Sequence, residues 1–338
     1  TVKLWDTSTG KEIKALTGHR SAVWGISFSP DGKMLASASV DRTVKLWDTS
    51  TDKEIKTLTG HTNNVWGISF SPDGKMLASA SKDKTVKLWD IGTGTEIKTL
   101  TGHTDEVYGI RFSPNGKMLA SASLDKTVKL WDISTGKKIK TLVGHTNEVN
   151  AISFSPDGKI LASASLDKTV KLWDTSTGKE IKTLNKHTNS FNAISFSPDG
   201  KMLASASANK MVKLWDISTG KEIKTLVGHT SEVWDISFSP DGKMLASASV
   251  DRTVKLWDIS TGKEIKTLTG HTDEVWGISF SPDGKMLASA SRDKTVKLWR
   301  LDFDYLLQKG CNFMREYYKT NPPDNESDKH LCDGTSNL

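Results

Sequence analysis

Cysteine is almost missing from these 338 residues: there are two, Cys311 and Cys332, both within the last 28. The long thiol-free stretch excludes a disulfide scaffold and fits a reducing compartment such as the cytoplasm. Long apolar runs are missing as well. No stretch reaches the roughly 18 residues that a membrane-spanning helix needs, so no membrane role is expected. The first residue is Thr, and no secretory or transit pattern follows it. Catalytic signatures are absent too: there is no HExxH, CxxC or GxSxG. The glycine-containing IGTGTEIKT at 91–99 lacks the spacing of a phosphate loop.

What is present is polar and evenly mixed. Apolar residues make up 36% and charged residues 25%, the balance of a soluble globular chain. The length suits two ordinary domains or one large all-β domain. The net charge of +6 divides unequally, with −2 on residues 300–338 and +8 on the rest. A basic surplus raises the question of nucleic acid as a partner, to be weighed against where the lysines stand.

One period organises nearly everything. His19, His61, His103, His145, His187, His229 and His271 follow one another at 42 residues without insertion or deletion. A unit reads GHTDEVWGISFSPDGKMLASASRDKTVKLW, followed in the other copies by DISTGKEIKTLTG. Four β-type runs lie inside it: VWGISF (a), KMLASAS (b), TVKLWD (c) and EIKTL (d). Between them stand SPDG, a short Asp-containing turn and STGK, all turn chemistry. Four strands in each unit predict four-stranded antiparallel sheets in an array.

The Gly-His opening, the Trp-Asp close and the 42-residue period resemble the WD40 repeat family over residues 1–299. The resemblance implies an all-β fold, a seven-bladed WD40 β-propeller whose blades surround a channel. Each blade then needs neighbours to cover its faces. Strands a, b and d occur seven times and strand c eight. The expected arrangement is a propeller over residues 11–300, closed by strand 11–17 pairing on 295–300. TVKLWD within 1–10 is then surplus, a remnant of an upstream repeat. Thr1–Trp5 and Thr295–Trp299 are identical and compete for one place.

Histidine, serine and aspartate at fixed spacing invite a hydrolase reading. The repeated sets are His19, Ser37, Asp41 and Trp47; His61, Ser79, Asp83 and Trp89; His103, Ser121, Asp125 and Trp131; and His145, Ser163, Asp167 and Trp173. They continue with His187, Ser205, Asn209 and Trp215; His229, Ser247, Asp251 and Trp257; and His271, Ser289, Asp293 and Trp299. In WD40 proteins such positions resemble a buried hydrogen-bonded tetrad. A buried imidazole needs an acceptor, which the carboxylate supplies, while indole and hydroxyl complete the set. Seven copies suit a structural staple and not seven active sites, so no catalytic residue and no enzyme is expected. Blade 5 carries Lys186, Asn209, Met211 and Phe191 at departures from the repeat and is expected to be the least stable.

The copies disagree mainly on one set of loops. The third residue after each histidine is Ala22, Asn64, Glu106, Glu148, Ser190, Glu232 or Glu274. The fifth is Trp24, Trp66, Tyr108, Asn150, Asn192, Trp234 or Trp276. The residue before the tetrad Asp is Val40, Lys82, Leu124, Leu166, Ala208, Val250 or Arg292. In an antiparallel meander the d–a and b–c loops leave at one end, so these sets converge on one rim. In the WD40 family they resemble sites that meet protein or peptide partners. The expected face presents five exposed aromatics among Asp105, Glu106, Glu148, Glu232, Asp235, Asp273 and Glu274. Its basic members are Arg20, Lys82 and Arg292. Aromatic anchors within an acidic surround suit a basic or amphipathic segment. The Lys excess is instead expected on turns and outer strands as a solvated skin that blocks edge pairing, which argues against nucleic acid.

The tail at 301–338 leaves the repeat. Leu306, Phe313, Met314 and Tyr317 predict a short helix over about 303–319, stopped by Pro322-Pro323. The tail resembles that of large bacterial, especially cyanobacterial, WD-repeat proteins, in which a signalling module precedes the propeller. The resemblance implies a scaffold or sensor fused to upstream signalling domains. Cys311, Cys332, His330 and Asp333 are too few and too poorly spaced for a metal cluster, and no cofactor is expected.

Overall fold

A computed structural model describes Leu16, residues 18–184 and residues 189–301. The strands 1–6 and 11–17, the tail helix and His187 fall outside the described residues, Leu16 excepted. Seven antiparallel sheets follow one another along the chain, six of four strands and the last of three described strands. In the first, strand a is Val23–Phe28, b Met34–Ser39, c Val44–Asp48 and d Glu54–Leu58. The last holds Val275–Phe280, Met286–Ser291 and Val296–Arg300. These are the blades of an all-β, seven-bladed propeller, with each strand a packed beside those of both neighbouring blades.

Local chemistry stops each strand where the sequence predicts. In the a–b turn Ser29 donates its hydroxyl to Asp31 at 2.6 Å and accepts the Met34 amide at 2.9 Å. The Asp ending strand c accepts the amide of Thr51 at 2.7 Å, tightening the c–d turn. Gly94 takes φ +78° in that turn, a region most side chains avoid.

The apolar core lies between blades, not within them. Ala36, Ala38, Val44, Leu46 and Leu58 of blade 1 meet Val65, Ile68, Phe70, Leu77 and Trp89 of blade 2 in one buried cluster. The pattern repeats around the ring. In the interface between blades 7 and 1, Leu16 packs with Val23, Leu35, Trp47, Ala288 and Val296. It is 2% exposed, as buried as the strand-d leucines Leu58 and Leu142 in their own interfaces.

The outer lysines are tied down more than a solvated skin implies. On strand c, Lys45 bonds Glu54 at 2.8 Å and Thr57 at 2.7 Å, and Lys87 bonds Glu96 and Thr99 likewise. On strand d, Lys98 reaches the Ser134 carbonyl of the next blade at 3.1 Å, and Lys182 that of Ser218 at 3.0 Å. On strand d, Lys56 and Thr57 are consecutive and face opposite sides, so Thr57 meets the strand-c lysine of its own blade while Lys56 clips the adjacent one. Blade 3 breaks the first pattern, because Lys138 stands where the others have Glu and works against the charge of Lys129.

Candidate functional site

Each described tetrad is a directed chain of hydrogen bonds. In blade 2 the Trp89 indole N–H donates to Ser79 Oγ at 2.8 Å, and Ser79 meets His61 Nε2 at 2.7 Å. His61 Nδ1 meets Asp83 at 2.7 Å. The indole can only donate, so the serine proton goes to Nε2, which leaves Nδ1–H for the carboxylate. Asp83 also accepts the Thr62 amide and the Thr85 amide and hydroxyl. The threonine two residues after the Asp is a fifth member that the spacing did not single out. The same bonds join His19, Ser37, Asp41 and Trp47. They recur from His103 to Trp131 and from His145 to Trp173. The series continues from His229 to Trp257 and from His271 to Trp299. In blade 5, Trp215 donates to Ser205 at 2.8 Å, while His187 lies outside the described residues.

Burial lowers the pKa of His103, His145 and His271, favouring neutral imidazoles. The donors gathered on Asp83 hold its carboxyl far below the usual range in spite of burial. Ser79 is 0% exposed beneath an indole, so this triad-like set offers a substrate no approach.

The three variable sets do converge at one end of the ring. The Lys82 amide donates to the Asn64 carbonyl at 2.9 Å, and Arg292 to Glu274 likewise. These bonds tie each b–c turn to the adjoining d–a loop. The aromatics, however, are not the exposed anchors the sequence suggests. Strand a is innermost, so its fifth-position side chains point inward and meet over the channel. Trp24 lies 4.3 Å from Trp276, 4.7 Å from Trp66, 5.6 Å from Trp234 and 6.2 Å from Tyr108, between ring centroids. Trp66 stacks on Tyr108 at 5.2 Å. All five are half-buried and cap the channel. Burial, with Glu106 and Glu148 nearby, pushes the Tyr108 hydroxyl up to about 12.

Asp235 also departs from its expected place on the acidic rim. It lines the channel beneath the aromatic cap. Its carboxylate accepts the Ile236 amide at 2.8 Å and the Ile278 amide of blade 7 at 2.9 Å. Burial pushes it up to about 6, against those bonds and the charge of Arg111.

The cap has a gap where blades 4 and 5 carry asparagine. Asn192 turns its amide to the Val233 carbonyl at 3.0 Å, and Asn150 leans towards that of Phe191 at 3.4 Å. The space left is a groove of about 310 Å³, lined by Tyr108, Leu124, Leu166, Ala208 and Trp234 together with Asn150, Asn189, Ser190 and Asn192, and flanked by Glu148 and Glu232. Other rim acids are already engaged. Glu106 pairs with Lys82 at 2.8 Å and accepts from Trp66 at 3.2 Å. Glu274 pairs with Arg292 at 3.1 Å and accepts from Trp276 at 3.0 Å. Among the described residues no side-chain partner engages Glu148 or Glu232, and the indole N–H of Trp234 is buried without an acceptor. Asn64 stands beside blade 2's turn, outside this groove.

Residues 126–301, just over half of the chain, match the family profile of the WDR3 first beta-propeller domain. Residues 23–190 match that of the Echinoderm microtubule-associated protein second beta-propeller. Among curated proteins, Coronin-7 of Bos taurus is 44% identical over 41 residues, which is 12% of this chain and 4% of the relative. Nuclear distribution protein PAC1 of Mycosarcoma maydis is 49% identical over 37 residues, 11% of this chain and 8% of the relative. The matches thus cover under a tenth of either relative's length.

Proposed function

The chain belongs to the WD-repeat β-propeller family, a typical protein-interaction scaffold, and from that premise we propose that it binds a peptide segment in the groove between blades 3 and 6. The observation that carries this reading is the contrast among rim acids. Glu106 and Glu274 are neutralised by Lys82 and Arg292, whereas Glu148 and Glu232 flank a groove of mixed polar and aliphatic lining with their charges unspent. A Lys or Arg beside a small aliphatic residue fits that chemistry. The role is non-enzymatic, in keeping with tetrads whose serines are sealed. Pairing of the strand-c lysines with glutamates leaves less free positive charge for nucleic acid. A signalling module joined to this propeller would be brought to its target by the groove.

The test is a peptide array probed with the wild-type chain and with Glu148→Gln/Glu232→Gln. Selected peptides should carry a basic residue next to an aliphatic one. They should lose about tenfold in affinity against the double variant, the size of one or two charge-assisted contacts. Selected peptides without basic residues, or with unchanged affinity, would refute the reading.

A further inference from the structure

Below the aromatic cap, the channel wall is built from strand a of every blade, and one position stands out. The eighth residue after the tetrad histidine is serine in six blades: Ser27, Ser69, Ser153, Ser195, Ser237 and Ser279. In blade 3 it is Arg111. All seven line a lower chamber of about 280 Å³, walled also by isoleucines.

The serine hydroxyls are weakly committed. Ser27, Ser69 and Ser279 reach the carbonyl of the following phenylalanine only at 3.4 Å, and Ser195 and Ser237 only at 3.5 Å. Contacts this long sit at the outer limit of hydrogen bonding, so their protons can turn onto a ligand at small cost. Arg111 donates Nη1 to the Ile110 carbonyl of its own strand at 2.9 Å. Among the described residues no carboxylate forms an ion pair with it. The side chain is exposed to the channel, and Asp235 is the acid whose field acts on it. A guanidinium keeps its proton, so the remaining donors face a chamber lined with hydroxyls and hold no counter-charge in contact.

We infer that the lower channel binds a compact oxyanion such as phosphate or sulfate, held by Arg111 and the ring of serine hydroxyls. The planar guanidinium supplies two parallel donors, and the serines supply donors from around the ring. At about 30 Å³ for each water, the chamber takes the anion and several waters with it. The site is independent of the peptide groove, because the aromatic cap stands between them. Pro30 lines the chamber, placing its mouth towards the SPDG turns. Arg111 and Asp235 are the charged groups lining the described channel, so the Asp235 carboxylate subtracts from the anion's affinity.

Titration calorimetry with inorganic phosphate, against chloride at equal ionic strength, tests this on the full chain. Arg111→Ser restores the residue of six other blades, so the fold should tolerate it. The wild type should bind phosphate saturably, Arg111→Ser at least about tenfold more weakly, and Asp235→Ala several-fold more tightly. Arg111→Lys keeps the charge without the planar fork and should fall between wild type and Arg111→Ser. Phosphate heats equal to those of chloride, or unchanged affinity in Arg111→Ser, would overturn the inference.

Discussion

Replacing Asp235 by Ala should make this protein more resistant to alkaline than to acidic unfolding conditions, relative to wild type. The carboxyl is pushed up to about 6 in the folded chain from an ordinary value of 3.8. The folded state therefore holds the proton more tightly than the unfolded state. The stability linked to this proton is fully present below the unfolded pKa and is lost as pH rises through the folded one. Between about pH 4 and about pH 8 the loss comes to about 2 kcal/mol, from roughly two pKa units at 1.36 kcal/mol each less the part already lost at pH 4. Alanine is accommodated at this position in Ala151 and Ala193, so the backbone needs no new arrangement. Losing two backbone hydrogen bonds adds an offset that does not vary with pH. Urea unfolding of both proteins, followed by tryptophan fluorescence at each pH, cancels every other titrating group in the difference. Wild type should lose about 2 kcal/mol relative to the variant across that range, and Arg111→Ser should steepen the trend by removing a nearby cation. Parallel stability profiles would refute the argument.

Lys138→Glu should rebuild in blade 3 the ion pair that Lys87 makes with Glu96, raising stability by about 0.5 kcal/mol in low salt and less in high salt. Thermal melts at two salt concentrations read this, and a salt-independent gain would point to another cause. Gly67→Ala would set a Cβ 2.4 Å from the Tyr108 carbonyl of the next blade, and moving that strand should cost about 1–3 kcal/mol by urea midpoint. Ser79→Ala would leave the Trp89 N–H and His61 Nε2 buried without partners, at about 2–3 kcal/mol. Hydrogen exchange should be fastest in strand b of blade 5, Met202–Ser207, if Asn209 weakens its staple; uniform protection around the ring would contradict that.

The architecture was legible because its signal is repeated. Period-2 runs between Asp-Gly and Thr-Gly turns mark the strands, and four strands to a 42-residue unit mark the blade. The tetrad followed from polar types whose donors and acceptors match. What escaped was set by ring closure. Arg111 and Asp235 are far apart in the chain, and only the radial arrangement of blades 3 and 6 brings both into one channel. Arg111 left a visible trace, as the single copy of ISFSP to read IRFSP. The aromatics are legible in the sequence, but their direction is not: whether a strand-a side chain meets solvent or its counterparts depends on the channel's width. Lysine ties between blades were invisible for the same reason, since Lys98 and the Ser134 carbonyl meet only across an interface.

Near-identical clusters between blades carry a consequence for how the chain finds its shape. The surface that blade 1 offers to blade 2 is chemically almost the one that blade 3 offers to blade 4. Side-chain complementarity thus hardly distinguishes the right neighbour from the wrong one. What selects the neighbour is the tether: Leu58 and Val65, ending one blade and starting the next, are separated by six residues. A link that short holds the next blade at an effective concentration in the millimolar range. The ring is ordered by proximity along the chain, and in crowded refolding, blades of two molecules become interchangeable parts.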